Sequence, residues 1–223
     1  MQRKSIQRIC KFASCTPPAP PITCCSPQTG AFEAYGQRNY TYMKNVLAQL
    51  RSSRDLLADG ARRLRRPYDD SIGVFPCRSF NLGEQSISFP HTDDGNLAQS
   101  WCSITPLGRF DPTCGGHLVL WDFGLVIEFP PGATVLIPSA LIRHSNTSLQ
   151  AGETRYSMIQ YAAGGLFRWV HHGCKTEEEW RARATVDEIK AHKHAQEGRW
   201  RDATAMFTTL SELLAPKPLS NQP

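Results

Sequence analysis

The chain has 223 residues, 40% hydrophobic, 20% charged and 9% aromatic, which fits one domain with tails, supports a real core and excludes wholesale disorder. Its formal net charge of +5 is lopsided: residues 1–66 hold 12 Lys/Arg against 3 Asp/Glu, and residues 67–223 hold 13 against 17. No uncharged apolar run approaches the roughly 18 residues of a membrane span, and the start MQRKSIQRICKF lacks the apolar stretch of a secretory signal, so the chain is expected inside the cell and off the membrane.

Residues 1–30 combine basic side chains with PPAPP and the adjacent pair Cys24 and Cys25, without helical or strand periodicity, which predicts a disordered basic, Pro-rich tail. The eight cysteines are irregularly spaced and contain no C-x-x-C pair. They read as free thiols rather than as a disulfide framework or a zinc site. Residues 31–72 read as a helical support segment: Tyr40, Met43, Val46, Leu47, Leu50 and Leu57 fall on one helical face, with an interruption near Gly60 and an end at Pro67. Arg62, Arg63, Arg65 and Arg66 form a compact basic cluster suited to phosphate.

From 73 to 175 the texture changes to the short runs SISFPH, WCSITP, HLVLWD, LVIEF, ATVLIP and RYSMIQY, separated by Gly, Pro and Asn. No helix-length period intervenes, so a parallel sheet with helical crossovers is disfavoured and a mainly β core, an antiparallel sandwich or jelly roll, is expected. Residues 176–215 read as C-terminal helices, one opened by the capping box of Thr176 and Glu179 and carrying Trp180, Val186 and Ile189, the next spanning Ala203 to Leu214. Residues 216–223 read as a tail.

Chemistry concentrates in the β-rich segment. His91 and Asp93 in SFPHTDDGN are two apart, so on a strand both turn to one face. His144 in LIRHSNTS, about fifty residues on, would complete a 2-His-1-carboxylate face, the ligand set of non-haem Fe(II) oxygenases. Such iron needs a two-electron donor, and the acid 2-oxoglutarate needs a fixed cation for its far carboxylate. Arg155, eleven residues past His144, supplies a planar fork for two parallel bonds, and Ser157 on the same face adds a hydroxyl. Each residue alone has an ordinary structural reading; their joint order in a strand-rich segment points to the site.

With these motifs, the segment Phe89 to Gly173 resembles the Fe(II)- and 2-oxoglutarate-dependent dioxygenases, and within them the compact fungal members of the TET/JBP family, which oxidise methyl groups of 5-methylcytosine or thymine in nucleic acid. The resemblance is carried by HTDDGN, GGHLVLWDFGLVIEFPPGATVLIPSALIRHSN and ETRYSMIQYAAGGLFRWV. It implies a double-stranded β-helix (jelly-roll) core with flanking N- and C-terminal α-helices. His91, Asp93 and His144 are implied as the Fe(II) ligands, Arg155 and Ser157 as the 2-oxoglutarate site, and Asn96 as a contact to a flipped base. Where the animal members carry a His after the Ser, the polar candidate here is Tyr161. O2, 2-oxoglutarate and DNA are the implied partners, 5-methylcytosine the implied substrate and the nucleus the expected location. Two other readings stand beside it: a dioxygenase acting on a protein or small molecule, and an inactive relic of the same core serving as a binding protein.

Overall fold

The computed structural model describes residues 7–8, 26–52 and 73–215. The expectations for Leu57, Gly60, Pro67, the Arg62–Arg66 cluster, the cysteines at 10, 15, 24 and 25, and the 216–223 tail lie outside those residues. Helix α1 (Ser26–Tyr35) begins inside the segment read as a tail. Its sequence has little amphipathic pattern, and tertiary packing holds it: Phe32 is fully buried and stacks on Phe75 and Trp101, at ring-centroid distances of 5.5 and 5.3 Å. Helix α2 (Gln37–Ser52) follows after Gly36, where a Cβ would meet the Phe32 ring at 2.9 Å, so only glycine lets the helices turn this tightly. As the periodicity predicts, α2 buries Tyr40, Met43, Val46 and Leu47.

Among the described residues eight strands form two four-stranded sheets. In the first, β1 (Gln7–Arg8), β5 (Leu125–Ile127), β4 (Leu118–Leu120) and β7 (His144–Asn146) lie side by side; in the second the order is β2 (Cys77–Asn81), β8 (Thr154–Tyr161), β3 (Cys102–Arg109) and β6 (Val135–Ile137). All pairs are antiparallel except β1 with β5. The run SISFPH is not a strand. Isolated bridges flank it, Gln85 with Arg155 just before the run and His91 with His144 at its end, so the segment crosses from β8 of the second sheet to β7 at an edge of the first. Pro90 removes a ladder donor from this segment, which explains the break.

The sheets pack face to face. Leu118 and Leu120 of β4 join Phe129 and Ile137 in one core cluster, with Ile104 and Val135 of the second sheet packed against it. Cross-strand partners share a face, so the register assigns His144, paired with Leu120, to the interior of the first sheet. The same rule turns Arg155, Ser157 and Ile159 of β8 to the side of Ile104, the partner of Ile159. The opposite face of the second sheet is covered by α1, α2 and α3 (Gly164–His171) through a cluster of Phe32, Tyr40, Met43, Val46, Ala162, Phe167 and Val170, against which Leu136 packs.

The C-terminal segment differs from its expected two helices. The capping box of Thr176 opens α4 (Glu177–Arg183), but a second box on Thr185 and Glu188 starts α5 (Val186–Ala205), and a third on Thr209 and Glu212 starts α6 (Leu210–Leu214). Val186 and Ile189 lie exposed on α5 rather than on the helix of Trp180. Among the described residues the helices hold more residues than the strands, most of them in the flanking helical segments, while residues 73–175 are built on the antiparallel sheets. Among the described residues no helix is long and apolar enough to cross a membrane, and Cys77, Cys102, Cys114 and Cys174 are free thiols, as expected.

Candidate metal centre and anion site

His91 and His144 exchange both backbone hydrogen bonds, at 3.0 and 2.9 Å, which sets their rings 4.4 Å apart between centroids. In each residue Nδ1 lies against the carbonyl oxygen two positions upstream, Phe89 at 2.7 Å and Ile142 at 2.9 Å. A carbonyl only accepts, so both Nδ1 atoms carry the proton and both Nε2 atoms present a lone pair. The Asp93 Oδ1 atom lies 3.5 Å from His91 Nε2. The ligand atoms of His91, Asp93 and His144 all fall within 4.8 Å of one another, the single such metal-capable group among the described residues. Burial pushes the His144 pKa down, so its imidazole stays neutral and available to a metal.

Two groups support Asp93, and only Ser139 of the two was absent from the sequence reading. Ser139, almost fully buried after β6, accepts the Asp93 backbone N–H at 3.0 Å. Asn96 donates its side-chain amide to Asp93 Oδ2 at 3.3 Å and to Ser139 Oγ at 3.1 Å. Cys102 also lies on this side; burial, followed by the charge of Asp93, raises its thiol to about 12 and keeps it protonated. It is a neutral neighbour rather than a thiolate ligand.

On the facing sheet Arg155 is 2% exposed. One guanidinium nitrogen donates to the Ser86 carbonyl at 2.6 Å, Nε has no hydrogen bond, and no carboxylate among the described residues pairs with it. Burial alone lowers its pKa to about 10. Across the β3–β8 pair, Gly108 stands opposite Arg155 with φ 111°, and a Cβ there would clash with the Thr154 carbonyl. Ser157 accepts a hydrogen bond from Asn81 Nδ2 at 2.9 Å, which leaves its own O–H to donate elsewhere. Asn81 carried no sequence signal, because the register of β2 on β8, which pairs the two residues, is a tertiary property. The Tyr161 hydroxyl meets Ser79 Oγ at 3.4 Å.

The remaining histidines lie apart from this group: His117 bonds Thr147, His171 bonds Tyr42, His192 bonds Gln196, and His194 faces Glu197. His172 is buried against Trp180. Asn96 also borders a groove of about 980 Å³ that runs between α2, α3 and α5 past Arg168, Arg199 and Trp200.

No protein-family model matches the chain, and no curated protein does. Solved structures match in part. One is NgTET1 in complex with 5mC DNA, at 21% identity and a TM-score of 0.37, covering 62% of this chain and 53% of that one. Another is an oxidoreductase of the 2OG-Fe(II) oxygenase family from Burkholderia pseudomallei, at 26% identity and a TM-score of 0.29, covering 48% and 54%. The chain thus spans about half the length of each.

Proposed function

We propose that this chain is an Fe(II)- and 2-oxoglutarate-dependent dioxygenase with a jelly-roll core, hydroxylating the methyl group of 5-methylcytosine in DNA. The observation that carries the reading is the combination of a His–Asp–His ligand set with a buried, unpaired guanidinium on the facing sheet. Residues of this kind fit the groups concerned: the two free Nε2 atoms and one carboxylate oxygen suit ferrous iron, and a buried cation without a counter-ion is costly unless an anion joins it. Iron(II) with 2-oxoglutarate supplies the oxidation of an unactivated C–H bond, which amino-acid side chains lack.

The protein does the positioning. His91, Asp93 and His144 hold the metal, and the carbonyls of Phe89 and Ile142 keep both rings in the binding tautomer. Arg155 would hold the far carboxylate of 2-oxoglutarate with its fork, and the Ser157 hydroxyl, which accepts from Asn81, would be free to donate to the same carboxylate. Ile104, Leu118, Leu120 and Val135 exclude water from the interior. Asn96 uses both amide hydrogens on Asp93 and Ser139, which leaves its Oδ1 as the acceptor it would offer to the exocyclic amine of a flipped cytosine. The HTDDGN and ETRYSMIQY motifs favour a methylated base as substrate, and DNA as substrate puts the work in the nucleus.

The test measures succinate release with and without methylated duplex, together with mass spectrometry of the nucleosides. Stimulated succinate release and oxidised 5-methylcytosine are expected. Turnover of 2-oxoglutarate by iron-loaded protein without oxidation of any methylated DNA or RNA would overturn the nucleic-acid substrate and leave a protein or small-molecule C–H bond. Failure to bind 2-oxoglutarate at all would leave only the inactive binding protein.

A further inference from the structure

We infer that Asn96 is a positioning residue for the metal centre, acting with Ser139 as a clamp on the Asp93 carboxylate. The inference rests on the metal-site reading above and goes beyond it, because the family resemblance gives Asn96 to the substrate. A carboxylate can only accept hydrogen bonds, so the atom of Asn96 that faces Asp93 Oδ2 at 3.3 Å must be the amide nitrogen. The second hydrogen of that nitrogen goes to Ser139 Oγ at 3.1 Å. Oδ2 is thereby occupied, and Oδ1, on the His91 side, is left as the ligand oxygen.

The clamp is itself anchored. Asn96 N–H donates to the Asp93 carbonyl at 2.9 Å, Gly164 N–H to the Gly95 carbonyl at 2.9 Å and Leu97 N–H to the Ala162 carbonyl at 2.8 Å, which fastens the 95–97 turn to the junction of β8 and α3. Ser139 is 1% exposed, and its backbone both donates to Ile137 at 2.9 Å and accepts from Asp93 at 3.0 Å. The terminal torsion of an aspartate is otherwise broad, so an unclamped Asp93 would lose that freedom on binding a metal. The arrangement is an outer partner that orients a first ligand, a role whose loss lowers metal affinity by roughly 10–100-fold.

Asn96 can be removed without backbone strain, since Cys174 is the only non-glycine residue with positive φ among the described residues. The experiment titrates Co(II) alone into the full chain, wild type, Asn96→Ala, Ser139→Ala and the double variant, and records the melting temperature of each without metal. Expected are a loss of Co(II) affinity of roughly 10–100-fold in Asn96→Ala at a little-changed metal-free melting temperature, a smaller loss in Ser139→Ala, and a double variant no worse than Asn96→Ala. Non-additivity is the signature of a clamp, because the Ser139 hydroxyl acts through Asn96. Unchanged Co(II) affinity in Asn96→Ala, or additive losses, would overturn the inference while leaving the metal centre intact. Should Asn96→Ala fail to fold, Ser139→Ala decides, its unchanged affinity overturning the clamp. No Co(II) uptake by the wild type would overturn the metal centre itself and this inference with it.

Discussion

Under the proposed function, Arg155 is the residue at which function and stability oppose each other. Its guanidinium sits 2% exposed with one donor on the Ser86 carbonyl, and burial lowers its pKa to about 10. It remains charged at neutral pH, and no carboxylate among the described residues compensates it. Replacing buried charge by a well-packed apolar side chain is often neutral or stabilising, by about 1–4 kcal/mol. Arg155→Met should therefore raise or preserve the melting temperature of the ligand-free protein while abolishing 2-oxoglutarate binding and sparing metal affinity. Arg155→Lys should keep the charge, lose the bidentate fork and bind 2-oxoglutarate more weakly. Calorimetric titration with thermal melts reads both; a strongly destabilised Met variant, or one that binds 2-oxoglutarate normally, would remove Arg155 from the anion site.

At the scale of elements, the docking of the C-terminal helices depends on His172, at the end of α3. Its ring stacks on Trp180 of α4 at 4.8 Å and lies 5.3 Å from His192 of α5, while Glu177 Oε2 is 3.6 Å from Nδ1. Desolvation is the main cause of its lowered pKa, opposed by Glu177 and reinforced by His192, Arg168 and Arg199. The folded-state pKa lies below the unfolded value of about 6.5, so the unfolded chain takes up the proton first. The neutral imidazole contributes stability that is complete above that pH and is lost as pH falls toward the folded pKa. The melting temperature should drop from pH 7 to pH 5, with Trp180 fluorescence reporting the release of α4. His172→Phe should flatten this profile without abolishing it, because burial lowers the His144 pKa with the same sign. An unaltered profile in the variant would show that His172 does not govern the docking.

For the whole molecule, ligand linkage separates the two halves of the site. A ligand that binds only the folded state stabilises it by about 2.7 kcal/mol at one hundred times its Kd. Metal should raise the melting temperature of the wild type, and 2-oxoglutarate should add a second increment. Asp93→Ala should lose the first increment, as its site loses the only anionic ligand, whereas Arg155→Lys should lose mainly the second. Equal responses of the two variants in a thermal-shift assay would contradict the assignment of the two roles to opposite sheets.

Much of this was legible in the chain itself. The H-x-D pair and a distant His mark, through residue type and order, the three side chains that the fold brings together, and the strand texture of residues 101–161 announces antiparallel sheets because alternation and turn residues are local properties. The T-x-x-E box at Thr176 is equally local. Other features required the tertiary structure. Helix α1 has no strong periodic signal and is held by the Phe32 stack on Phe75 and Trp101, whose partners lie more than forty residues away in sequence. Strand register decides that Asn81 meets Ser157 and that Arg155 shares an interior with His144, and a slip of one residue would turn these side chains to opposite faces. Ser139 reaches Asp93 only because the end of β6 is carried beside the H-x-D segment, so the contact that orders the carboxylate depends on packing between sheets rather than on any pattern along the chain.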